Sequence, residues 1–197
     1  MSVLRVFSSA AAIAAAFAAL TSAPADARAR GQKRDRVTEI IVHATGGPFC
    51  QRGEVRFSPP GTAVRIKRFF EKSSSVSIHY IVERDGEVLA SVPEDEVAIH
   101  AVGHNANSIG IELINAGDGR DPYPAAQVRA LGHLIGEIRR RHGIALSQVK
   151  GHEQVDRSTI PCGGRQVRRK QDPGPLFPWD KLKLELILAE AGAAKRR

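Results

Sequence analysis

Residues 77–93 read SIHYIVERDGEVLASVP, and the fold is read outward from them. Two apolar runs flank Asp85-Gly86, a residue pair that hairpin turns favour because it tolerates positive φ. A hairpin of this kind is antiparallel. Its neighbours in the chain are of another type. TEIIVHAT (38–45) and NSIGIELIN (107–115) are short β-branched runs with little polar alternation, the pattern of strands covered on both faces. The first is expected to end at His43 and the second to run from Ser108 to Ile114. Val128, Leu131, Ile135 and Ile138 recur at helical spacing, and Gly143 closes that helix. SQVKGH (147–152) is a strand-like entry to His152, WDKLKLELILAEAG (179–192) reads as a C-terminal helix, and AVRIKRFFEKS (63–73) has weaker helical character. GGPFCQRGEVRFSPPG (46–61) and residues 153–178 read as loops. Strands and helices alternate without a repeat. The expected fold is therefore α/β: a single domain over residues 37–190, with a central mixed β-sheet flanked by helices.

The ends differ from this domain. Arg5 precedes an apolar, Ala-rich run from Val6 to Leu20, followed by TSAPADARA (21–29). A positive start, an apolar stretch and an A-x-A-like site make a secretory signal peptide, assigned to residues 1–27. A retained N-terminal anchor is the alternative, but the run is short and Ala-rich for a membrane span. RARGQKRDR (28–36) is expected to be a flexible lead-in, and residues 191–197 a basic tail. Export implies a periplasmic or secreted protein with no integral span after processing. In an oxidising compartment the two cysteines, Cys50 and Cys162, are candidates for one disulfide, with two free thiols as the alternative.

The formal net charge of +8 suits anionic partners such as cell-wall glycan with its acidic peptides, phospholipid head groups or nucleic acid. Nucleic-acid binding calls for aromatic stacking platforms beside the basic patch. Only 5% of the residues are aromatic, and the basic clusters at 139–141, 168–170 and the tail read as solvated ends, so no nucleic-acid partner is expected.

Three side chains that can hold a metal sit at element ends. His43 closes a strand, His152 follows a strand-like run in KGHEQVD, and Asp172 lies at the foot of a Pro-Gly-Pro corner in VRRKQDPGPLFPW (167–179). A catalytic zinc takes three protein ligands, often mixed His and carboxylate, and keeps a fourth position open. Each residue also has a plain reading: a hydrogen-bonded strand-end His, or an Asp that caps a turn. Rival sets are weaker. His100 and His104 are helically spaced, but HAVGHNANS holds Gly and Asn residues that disfavour a helix. GHEQVD lacks the second His of H-E-x-x-H. Glu112 lies among Ile109, Ile111, Leu113 and Ile114, where a carboxylate carries a desolvation cost. It is either on the wet face of an edge strand or a general base beside a metal. Lys170 would supply positive charge where an oxyanion develops.

Taken together, IIVHAT, SIHYIVERDGEV, AIHAVGHNANSIGIELIN, VKGHEQVD and KQDPGPLFPW resemble, in order and spacing, the zinc-dependent N-acetylmuramoyl-L-alanine amidases of the type 2 group, over about residues 37–182. That group includes anhydro-muropeptide amidases, phage amidases and peptidoglycan-recognition proteins. The resemblance implies one zinc per chain held by His43, His152 and Asp172, with Glu112 as catalytic carboxylate and Lys170 as oxyanion partner. It implies hydrolysis of the amide between the lactyl group of N-acetylmuramic acid and L-alanine of peptidoglycan or muropeptide stem peptides. A monomer is expected. His100, Asn107 and His79 are expected near the substrate. Ile99 stands where relatives often carry an aromatic, a departure that bears on substrate stacking. The alternative is a non-catalytic peptidoglycan-binding module. Such relatives typically lose the third ligand, and this chain keeps Asp172.

Overall fold

A computed structural model describes residues 31–194. The expected signal peptide lies outside the described residues. Strand β1 (Glu39–Ala44) is buried along its whole length, as its Ile-Ile-Val centre requires. It pairs in parallel with β6 (Ser108–Leu113) on one side and with β7 (Val149–Gly151) on the other. Strand β4 (Tyr80–Val82) extends the sheet beside β6, also in parallel. Its hairpin partner β5 (Val88–Ala90) adds the antiparallel edge. The order is β5-β4-β6-β1-β7, so the sheet is mixed, and among the described residues the hairpin read from residues 77–93 supplies its only antiparallel strand pair.

Alternation along these strands sorts the layers. Ile40, Val42, Ile109, Ile111, Leu113 and Val82 share one core cluster with Leu131, Ile135 and Ile138 of helix α2 (Ala125–His142) and Leu182 and Leu186 of helix α4 (Trp179–Ala194). Ile78, Ile81 and Ile114 instead meet Ala63, Ile66 and Phe70 of helix α1 (Ala63–Lys72). Helices therefore cover both faces, as expected. Among the described residues no helix is long and apolar enough to cross a membrane.

Four readings change. The stretch 46–61 is not simply loop: β2 (Pro48–Gln51) and β3 (Glu54–Phe57) pair antiparallel. Residues 153–178 contain the end of a short helix α3 (His152–Val155) and a second hairpin, β8 (Thr159–Cys162) with β9 (Arg165–Arg168). A disulfide between Cys50 and Cys162 joins the two hairpins, with Cα atoms 5.5 Å apart. The lead-in is tethered rather than loose where it is described. Gly31 N–H donates to Val97 O at 3.0 Å, Val97 N–H to Gln32 O at 2.9 Å and Arg34 N–H to Asp95 O at 2.9 Å. The Arg34 guanidinium donates to the Glu94 and Ser108 carbonyls at 2.7 and 2.5 Å. Charge density alone reads as solvated chain; here the guanidinium is a multiple donor to carbonyls of two other segments. Finally, α4 continues to Ala194, past the expected domain end at residue 190.

Candidate metal centre

Register builds the first half of the site. His43 on β1 and Glu112 on β6 are direct partners in the parallel ladder, and Ile81 on β4 is in line with Glu112. Partners in a parallel pair project to the same face, here the α1 face where Ile81 packs. The apolar run around Glu112 thus belongs to the opposite face and its flanks. The edge-strand reading fails, because β6 lies between β4 and β1 and Glu112 is only 8% exposed.

The second half comes from the ends of β7 and β9. His152 opens α3 directly after β7. The chain leaving β9 is held against α3: Arg168 donates to the carbonyls of Glu153 at 2.6 Å and Asp156 at 3.0 Å. Arg169 pairs with Asp156, and Glu153 N–H donates to Asp172 O at 2.9 Å. The corner is then fixed from behind, with Tyr123 Oη donating to Pro173 O at 2.5 Å. Gly174 has φ +92°, and a Cβ there would lie 2.7 Å from the Gly117 carbonyl oxygen, so only glycine fits. The rigid corner aims Asp172 inward.

His43 Nδ1 and His152 Nδ1 lie 3.2 and 3.0 Å from the same atom, Asp172 Oδ2. All three side chains are buried, and their ligand atoms lie within 4.8 Å of one another. Burial opposes ionisation of Asp172, but the imidazoles of His152 and His43 close beside it outweigh that and hold the carboxyl well below its usual range. Burial, reinforced by His152, lowers His43 to about 4 against the pull of Asp172. Glu112 is pushed up to about 8, first by burial and then by the Asp172 charge, with Lys170 working the other way. A buried set of imidazole nitrogens and one carboxylate oxygen, with the carboxylate ionised, fits the donor chemistry of a catalytic zinc.

These residues line one cleft of about 300 Å³. The buried His43, His152, Asp172 and Glu112 line it together with Lys170, Arg169 and His100. Phe69, Phe70, Val76 and Ile99 are its apolar lining; Ile99 was expected to bear on substrate stacking, whereas Phe69, Phe70 and Val76 were not anticipated, and the Phe-Phe pair among the basic residues of α1 was the available signal. Two expected residues are elsewhere. Asn107 precedes β6 and pairs with Thr38 at 3.2 Å, at the opposite strand end from Glu112, roughly 16 Å along an extended chain. His79 is fully buried, so it supports the site and does not line it. Its Nδ1 accepts from Gly110 N–H at 3.0 Å, and its ring stands edge-on to His100 at 5.7 Å.

The profile of the N-acetylmuramoyl-L-alanine amidase family matches residues 33–175. The chain is 34% identical over 129 residues to N-acetylmuramoyl-L-alanine amidase AmiD of Escherichia coli, which covers 54% of this chain and 43% of that one. It is 27% identical over 166 residues to N-acetylmuramoyl-L-alanine amidase A of Achromobacter lyticus, covering 79% and 86%. The fold is similar to E. coli AmiD in complex with its substrate anhydro-N-acetylmuramic acid-L-Ala-D-gamma-Glu-L-Lys, with TM-score 0.59, 26% identity, and coverage of 80% of this chain and 61% of that one. The aligned region thus spans less than half of AmiD's length in sequence.

Proposed function

The chain belongs to the N-acetylmuramoyl-L-alanine amidase family, and on that premise we propose that it hydrolyses the amide between the lactyl group of N-acetylmuramic acid and L-alanine of peptidoglycan stem peptides. One observation carries the proposal: the ladder puts Glu112 beside His43 in the cleft where His43, His152 and Asp172 bring their ligand atoms within 4.8 Å. These three would hold one zinc ion. Bound there, zinc would supply Lewis-acid chemistry: a water acidic enough to react at neutral pH and polarisation of a carbonyl. Glu112 takes the water's proton and returns it to the leaving amine. A carboxyl that burial holds near neutrality suits both steps. Lys170, which lines the same cleft from the corner loop, would stabilise the oxygen on which negative charge develops. The Phe69, Phe70 and Ile99 wall seats the apolar parts of the substrate and keeps bulk water from that side. Export by the leader at residues 1–27, and action in the periplasm or outside the cell, belong to the same proposal.

The test is mass spectrometry of purified peptidoglycan after incubation with the mature protein, with and without a zinc chelator. Release of stem peptides with a free N-terminal L-alanine, abolished by chelator, is the expected result. Binding to peptidoglycan without new amino termini would overturn hydrolysis in favour of a recognition module.

A further inference from the structure

The hydrogen-bond directions behind His43 extend the metal-site reading, on which this inference rests. Ser108 Oγ lies 2.7 Å from the His104 carbonyl oxygen and 3.1 Å from His100 Nε2. Two oxygens that close need a proton between them, and a carbonyl has none to give. The hydroxyl proton therefore goes to His104. Ser108 Oγ is left as an acceptor toward His100, so the proton of that contact sits on His100 Nε2. His100 Nδ1 then carries a lone pair, directed at His43 Nε2 at 3.0 Å. His43 Nε2 must in turn hold the proton of their contact.

The consequence reaches the centre. With its proton on Nε2, a neutral His43 presents a bare Nδ1 to Asp172 Oδ2 at 3.2 Å. A lone pair facing a carboxylate oxygen is repulsive unless a cation lies between them, and a metal ion is the cation that also engages His152. The relay is built into the sheet. A Cβ at Gly110 would lie 2.6 Å from both Cγ and Nδ1 of His100, so the missing side chain is what admits the ring. Ser108 is fully buried on the same strand.

We propose that His100 and Ser108 are positioning residues: a Ser108–His100–His43 relay locks His43 as its Nε2–H tautomer and leaves Nδ1 as the ligand atom. Partners of this kind behind a metal-binding histidine typically contribute about 10- to 100-fold in metal affinity.

Two measurements test the proposal without using turnover: zinc affinity by competition with a chromophoric chelator, and the His43 tautomer by ¹⁵N NMR of the zinc-loaded protein. His100→Leu should weaken zinc about 10- to 100-fold. His100→Asn, which keeps an acceptor near the Nδ1 position, should recover most of the loss. Ser108→Ala, a minimal change in volume, should weaken zinc less and let the His100 tautomers mix. It serves as the deciding variant if His100→Leu fails to fold. Wild-type affinity within twofold in His100→Leu and Ser108→Ala, or a proton on His43 Nδ1 in the zinc-loaded wild type, would overturn the relay. A wild-type protein that binds no zinc would instead sink the metal-site reading itself, and the relay with it.

Discussion

Replacing both Cys50 and Cys162 with serine should lower the melting temperature by about 10–20 °C. The two half-cystines are 112 residues apart, and the loop they close takes in α1, α2 and strands β4 to β7. That is four of the five strands of the central sheet, so the cross-link restricts the unfolded state of the core and not only of the hairpins it touches. Loop-closure entropy for this length corresponds to about 4.8 kcal/mol at 25 °C. For a domain of this size each kcal/mol moves the melting temperature by about 2–4 °C. The double variant is preferable to a single one, which would leave a reactive thiol. Urea and thermal unfolding followed by far-UV circular dichroism read the sheet, and the fluorescence of the single tryptophan, Trp179, reads the packing beside the corner. The urea m-value should rise, because the unlinked chain exposes more surface. A melting temperature within about 3 °C of wild type with an unchanged m-value would refute the entropy argument. The bridge would then fasten only two peripheral hairpins.

Other consequences follow from the same geometry. Asp172→Ala should empty the zinc site, whereas Glu112→Gln should keep zinc and lose turnover by about 100-fold or more. Metal analysis beside kinetics separates them, and equal zinc loss in both would end the division of roles. Lys170→Ala should keep zinc and reduce kcat by about 100- to 1000-fold; an unchanged kcat would remove it from the mechanism. A third expectation concerns acid stability away from the cleft. Burial opposes ionisation of Glu94, but hydrogen bonds from Arg141, Tyr80 and His142 prevail and hold it at about 2 instead of 4.5. A depressed carboxylate stabilises the fold above its unfolded value, and that stability is lost as pH falls from about 4.5 to about 2, amounting to at most about 3 kcal/mol. Urea unfolding at pH 6 and pH 3 should show a shallower acid loss in Glu94→Gln; identical losses would show that Glu94 is not the titrating group.

The sheet was legible where one local rule dominates. Continuous β-branched burial marks β1 and β6, Asp85-Gly86 marks the β4–β5 hairpin, and a clean helical period marks α2. The β2–β3 and β8–β9 hairpins escaped because their four-residue strands are Gly- or Pro-flanked and largely exposed, so neither alternation nor hydrophobicity separates them from loop. Their pairing is secured by a disulfide between them. Arg34 escaped for a related reason: a charged run looks solvated until carbonyls elsewhere in the chain close around one guanidinium.

Within the site, motif order pointed to His43, Glu112, His152, Lys170 and Asp172, and these five line one cleft. Asn107 and His79 belong to the same motifs but do not line that cleft: Asn107 lies at the other end of its strand, and His79 is buried behind the site. The sequence by itself determined which chemistries were available: imidazole and carboxylate donors, one carboxylate among isoleucines, a lysine and a proline-locked corner. Tertiary structure alone decided their meeting. His43 and Asp172 are 129 residues apart, Glu112 stands beside His43 only in the observed register, and the proton directions behind His43 depend on a serine on one strand and a loop carbonyl. Local patterns constrain neighbours along the chain. Register, crossover and hydrogen-bond direction arise only when distant segments pack, because a strand's period of two says which residues share a face but not which partner stands beside them.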